Sequence, residues 1–244
     1  MRNLLLSLKF KGTPFCGYQV QKNGVTVAEK LQNAIEAVTG VRSDIKGCSR
    51  TDSGVHANMY CANFKTESKI ACGKMRDALN FHLPYEIVVY DCREAPLDFH
   101  ARYHCSGKEY MYLFHNAPWR DPFVRNLALE FGYNMDISRI NRAAAHFVGT
   151  HDFASLCGAA GGAKDTVRTV MRAEAIREGE FVKMFFAADG FLFNMVRIMV
   201  GTLIWVNQGR IEPDDIPGIL DKKDRNRAGP TAPAHGLYLN RVFY

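Results

Sequence analysis

Leu4, Leu6, Leu8 and Phe10 alternate with Asn3, Ser7 and Lys9, the two-residue period of a strand with one face in a core. From Val27 the period lengthens. Val27, Leu31, Ala34, Ile35 and Val38 recur every three or four positions, which predicts a helix over 27–39. Thr26 and Glu29 form a capping box at its start, and Gly40 stands just past its end. The pattern continues with strands at 44–50 and 57–65, a helix at 69–82 and a strand at 86–93, in the order β-α-β-β-α-β. A second series holds a strand at 107–115, a helix at 136–148 capped by Asp136, strands at 166–177 and 180–188, and an apolar helix at 191–207. A short helix near Pro213 and a strand at 236–243 complete it. The same order recurs with insertions, so the reading is an α+β fold of two ferredoxin-like halves, 1–105 and 106–244. Ligands favour the cleft between such halves.

Composition narrows the class. The 244 residues are 47% hydrophobic, enough for a packed core in a soluble protein. The most apolar stretch, 190–206, contains Asn194 and Arg197 and is shorter than the roughly 20 residues of a membrane span, so it reads as a core helix. The N-terminal alternation is a strand pattern and not a signal peptide, and a cytoplasmic protein is expected. Seven cysteines, without a Cys-x-x-Cys pair, point to reduced thiols in the core. A zinc site from Cys48, His56 and Cys61 matches no common ligand spacing, so no metal is expected. Thirty-one Lys and Arg against 25 Asp and Glu leave a charge of +6, which suits a polyanionic partner when gathered on one face.

One stretch concentrates the chemistry. Gly47-Cys48-Ser49-Arg50-Thr51-Asp52-Ser53-Gly54-Val55-His56-Ala57 presents a carboxylate, Asp52, on a short turn between two strand-like segments, with Gly54 free to take a positive φ. Arg50 and His56 flank it, and nearby cations favour the ionised form of a carboxyl group. Such an acid serves as nucleophile or base at neutral pH.

This stretch resembles the active-site motif of the tRNA pseudouridine synthase A family through Arg50, Thr51, Asp52, Gly54, Val55, His56 and Ala57. Further segments are similar to that family in the same order: Gly17-Tyr18-Gln19, Asp98 to Arg102, Lys108 to Tyr112, Gly190 to Arg197 and Ala232 to Leu239. The resemblance implies two halves sharing an extended sheet with a basic central cleft, a homodimer, and tRNA as partner. It implies isomerisation of uridine to pseudouridine at positions 38, 39 and 40 of the anticodon stem-loop. That reaction breaks the N1–C1′ bond, turns the held uracil and rejoins it through C5. Atoms are neither added nor removed, so no cofactor is expected.

The resemblance makes Asp52 the nucleophile, acting at the ribose C1′, at C6 of the base, or on the 2′ proton in a glycal route. It makes Tyr110 the substrate-contacting tyrosine, with a stacking face for the uracil and a phenol near C5, whereas Tyr112 reads as an ordinary core aromatic. Arg197, within the apolar helix, needs a carboxylate or phosphate partner, since an unpaired buried guanidinium is costly. The family pattern supports Asp52. Arg50, His56, Arg102 and Lys108 are candidates for the RNA backbone, because extruding a stacked base requires compensating contacts. The chain departs from the family at Val20, where an arginine is usual, and at Cys48-Ser49, where a small Ala-Gly pair is usual. A catalytically inactive RNA-binding or chaperone protein is the alternative, but it would not need Asp52, Tyr110 and Arg197 together.

Overall fold

The computed structural model describes residues 1–158 and 165–244. Its strands are β1 (Arg2–Phe10), β2 (Ile45–Gly47), β3 (His56–Thr66), β4 (Ile87–Ala95), β5 (Gly107–His115), β6 (Leu129–Glu130), β7 (Gly149–Asp152), β8 (Val167–Glu178), β9 (Phe181–Ala188) and β10 (Leu237–Phe243). Its α-helices are α1 (Val27–Thr39), α2 (Cys72–His82), α3 (Ile137–Ala145), α4 (Met195–Asn207) and α5 (Ile216–Asp221). The chain divides into two compact units, Met1–Ser106 with Tyr238–Tyr244, and Gly107–Leu237. The class is α+β.

In the first unit β4, β1 and β3 are antiparallel neighbours, and β2 pairs with the far part of β3 from Ala62 to Phe64. That order, β4-β1-β3-β2, is the split β-α-β arrangement the periodicity predicts. Helix α1 has the expected bounds: Thr26 and Glu29 make both capping-box bonds, and Gly40 closes it at φ 74°. Val27, Leu31, Ala34 and Ile35 on α1 and Met75 and Leu79 on α2 are buried, each large side chain contributing roughly 1.5–3 kcal/mol. Strand β1 departs from simple alternation, because Asn3 and Ser7 are buried along with the leucines. Asn3 is satisfied by donating to the carbonyls of Pro96 (2.8 Å) and Phe99 (3.0 Å).

The last strand differs from the expectation that assigned it to the second half. Tyr238 and Leu239 of β10 pair in parallel with His56 and Ala57, the Ser106 amide donates to the Phe243 carbonyl at 2.8 Å, and Tyr244 donates to the Ala101 carbonyl at 2.8 Å. Partners so distant in sequence leave no local periodic signal.

In the second unit β5, β9, β8 and β7 are successive antiparallel neighbours, and β6 lies parallel to β5. Asp136 caps α3 as expected, accepting the Arg139 amide at 2.9 Å. Helix α4 starts at Met195, four residues later than its apolar pattern suggests, because Asn194 is left-handed at φ 59° and a helix does not propagate through that conformation. The extended segment at 229–232 lies directly on α4: a Cβ on Gly201 would stand 1.7 Å from the Pro230 carbonyl oxygen.

Candidate active site

Asp52 sits on the turn between β2 and β3, held by a second loop of the same unit, residues 11–18. The Tyr18 amide donates to the Thr51 carbonyl at 3.1 Å, while the Gly54 amide (3.4 Å) and the Ser53 hydroxyl (3.2 Å) both donate to the Phe15 carbonyl. Gly54 takes φ 80°, as the turn demands, and its neighbour Val55 donates to the Asp52 carbonyl at 3.2 Å. Gly17 has φ 81°, and a Cβ there would lie 2.6 Å from the Thr51 carbonyl oxygen. Glycine alone lets the loop approach this closely. Thr51 and Val55 are buried and Asp52 is half-buried, so the turn's frame is embedded while its acid keeps access to solvent.

His56 anchors the end of the turn. It is 1% exposed, its Nδ1 accepts the Gly12 amide hydrogen at 3.0 Å, and its ring stacks on Tyr238 with centroids 4.6 Å apart. Nδ1 therefore carries no proton in this arrangement. A buried ring engaged in this way clamps the loop to the turn. Arg50 is exposed on the turn, as is Arg102 beyond β4.

A second buried layer supports the first. The Tyr60 hydroxyl donates to the Ser49 carbonyl and accepts the Ser49 amide at 3.3 Å, and its ring stacks on Tyr18 at 4.5 Å. Cys48 and Cys61 are buried neighbours, the Cys61 amide donating to Cys48 Sγ at 3.4 Å. Cys48 thus fills core space at the position where the family pattern has a smaller residue. Asn63 on β3 donates to Asn3 Oδ1 (2.9 Å) and to the Phe99 carbonyl (3.1 Å), and accepts the Ala101 amide (2.8 Å), so two buried amides hold the segment that presents Arg102. Sequence reading missed Gly12, Gly17, Asn3 and Asn63 in these roles. Only Gly17 carried a signal, as part of a recognised tripeptide.

In the second unit Tyr110 lies on β5 opposite Phe186, 7% exposed, with its ring edge-on to Phe191 at 5.1 Å. Lys108 is half-buried on the same strand. Tyr112 is fully buried, donates to the Pro233 carbonyl at 2.8 Å, and its phenol is pushed up by burial, with Arg197 acting in the opposite direction. Arg197 lies in the first turn of α4. Its Nε donates to the Ala232 carbonyl (2.7 Å), its Nη1 donates to Asn194 Oδ1 (2.8 Å), and its own carbonyl accepts the Ala232 amide (3.0 Å). A cation in a helix's first turn opposes the macrodipole, so helix stability does not account for an arginine here. Asn194 and Ala232, both inside recognised segments, emerge as its supports only in the folded chain.

Among the described residues no helix is long and apolar enough to cross a membrane, and no three His, Cys, Asp or Glu side chains gather as a metal-binding group.

Residues 7–104 and 143–244 match the family model described as tRNA pseudouridine synthase. The chain is 44% identical over 244 residues to the tRNA pseudouridine synthase A of Acetivibrio thermocellus, covering 100% of both chains. It is equally similar, 44% over 244 residues with 100% of both chains covered, to the protein of the same name from Caldicellulosiruptor bescii. The similarly named protein of Exiguobacterium sibiricum is 44% identical, with 97% of that relative covered. A turn built around an Arg-Thr-Asp carboxylate and a match over most of the chain lead to one assignment: this chain belongs to the tRNA pseudouridine synthase family.

Proposed function

We propose that this chain isomerises uridine to pseudouridine in the anticodon stem-loop of tRNA, with Asp52 as the nucleophile. The observation that carries the reading is the Asp52 turn itself: a half-buried carboxylate on a backbone held at Thr51, Asp52 and Gly54 by neighbouring groups, with the Ser53 hydroxyl as a further tie. Such a frame holds a nucleophile in place before the substrate arrives, which is how a rigid site lowers the entropic part of a barrier.

Tyr110 and Arg197 serve the same uridine in this reading. Tyr110 offers its ring to the extruded uracil and its phenol to the proton at C5, and Arg197 stabilises negative charge during the reaction. Arg50, Arg102 and Lys108 contact the RNA backbone and help offset the few kcal/mol needed to unstack a base. The enzyme works in the cytoplasm as a homodimer and uses no cofactor.

The test is Asp52→Asn with tRNA labelled with tritium at C5 of uridine. The variant is expected to bind tRNA within about twofold of the parent and to release no tritium, about the limit a removed nucleophile sets. Tritium release by Asp52→Asn at the parental rate would sink the assignment. Absence of pseudouridine formation by the parent itself would favour an RNA-binding protein on the same scaffold.

A further inference from the structure

Thr51 precedes the proposed nucleophile, is 7% exposed, and its Oγ1 is fully covered without a hydrogen-bond partner among the described residues. Native proteins carry a few such atoms per hundred residues, so an orphaned hydroxyl alone decides nothing. Its location does. The Thr51 carbonyl already accepts the Tyr18 amide at 3.1 Å, and the next residues are tied to the Phe15 carbonyl, so the turn holds its shape without help from the hydroxyl. Valine would fill the same volume, stay equally stiff about χ1, and avoid burying a hydroxyl that has no partner among the described residues.

A hydroxyl kept where it weakens the resting fold is accounted for when it makes its bond in another state of the site. Rotation of χ1 by one well re-aims Oγ1 while leaving the backbone in place. The next residue along the chain is Asp52, whose carboxylate is a hydrogen-bond acceptor. We infer that Thr51 is a positioning residue whose hydroxyl donates to the Asp52 carboxylate in the RNA-engaged enzyme and orients it for attack. This rests on the reading of Asp52 as nucleophile.

Thr51→Val and Thr51→Ser in the full chain test it, with thermal melting, tRNA affinity, and kcat and KM for pseudouridine formation on tritiated tRNA. Thr51→Val is expected to melt at or above the parental temperature and to bind tRNA within about twofold. Its kcat should fall about tenfold or more, the size of one hydrogen bond made on the way to the transition state. Thr51→Ser, which keeps the hydroxyl, is expected to recover most of the rate. Parental kcat in Thr51→Val overturns the inference, and so does a lowered melting temperature or failure to fold, which would make the hydroxyl a structural group. A Thr51→Ser enzyme as slow as Thr51→Val also overturns it, by assigning the effect to the lost methyl group. An inactive parent would instead defeat the functional reading on which the inference stands.

Discussion

Gly17 and Thr51 approach so closely that a methyl group on the glycine would stand 2.6 Å from the threonine's carbonyl oxygen. The contact joins loop 11–18 to the backbone that carries Asp52, and Gly17 meets it from a left-handed conformation, φ 81°. Gly17→Ala therefore meets both a steric and a conformational obstacle. The conformation alone costs about 1–2 kcal/mol. We expect lowered stability in urea melts and, since a displacement near 1 Å at a reacting group costs on the order of 100-fold, a corresponding fall in kcat. Parental stability and rate in this variant would show that the loop does not control the turn.

His56 separates a clamp from a phosphate contact. His56→Leu leaves the Gly12 amide without its acceptor, at a cost of about 1–3 kcal/mol, whereas His56→Asn keeps an acceptor near the same place and should be the milder change. Neither should alter the salt dependence of tRNA binding. Arg50→Gln and Arg102→Gln should each lower the slope of log K against log salt by about 1, the signature of one lost phosphate contact. Filter binding at several salt concentrations checks both statements.

Arg197→Leu should keep the fold and lose the activity. The variant gives up the side-chain bonds to Ala232 and Asn194, while the backbone bond from the Ala232 amide remains. Removing a cation from the first turn of α4 is favourable by about 0.3–1 kcal/mol and offsets part of that loss. The net loss in chemical denaturation should be about 2–5 kcal/mol, which leaves a folded protein of ordinary stability. Pseudouridine formation should fall by more than about 100-fold, as when a group that stabilises reacting charge is removed. An unfolded Arg197→Leu protein would assign the residue a structural role.

Asp152 predicts a pH dependence in the second unit. Lys223 at 2.6 Å, the Thr166 hydroxyl at 2.5 Å and the Ala154 amide at 3.0 Å hold its carboxyl below the usual range. Because the folded pKa is depressed, this contribution is fully present above the unfolded value of about 3.9 and disappears as pH falls through the lower folded value. Melting temperature should therefore drop more steeply below about pH 4 in the parent than in Asp152→Asn. Lys223→Met should flatten the profile in part, since the Thr166 and Ala154 donors remain.

Local chemistry made much of this protein legible. The Thr26–Glu29 capping box, the Asp136 cap and the strand alternations act between near neighbours, and the corresponding elements have the expected type and similar bounds. Asp52 was legible for a related reason, since an acid between a basic pair on a glycine turn is a feature of contiguous residues. The start of α4 was not: hydrophobic periodicity runs through 191–194, and the left-handed Asn194 interrupts the helix without breaking that pattern.

By itself the sequence determined the alternation of strands and helices, the family and the turn on which the carboxylate sits, because each depends on short-range preferences or on motifs. Tertiary structure decided that His56 is a buried acceptor, that Gly17 must lack a side chain, that Asn3 and Asn63 are joined, and that β10 pairs with β3. Those outcomes come from close packing between segments far apart in the chain, where the space left by one backbone fixes what the other can carry.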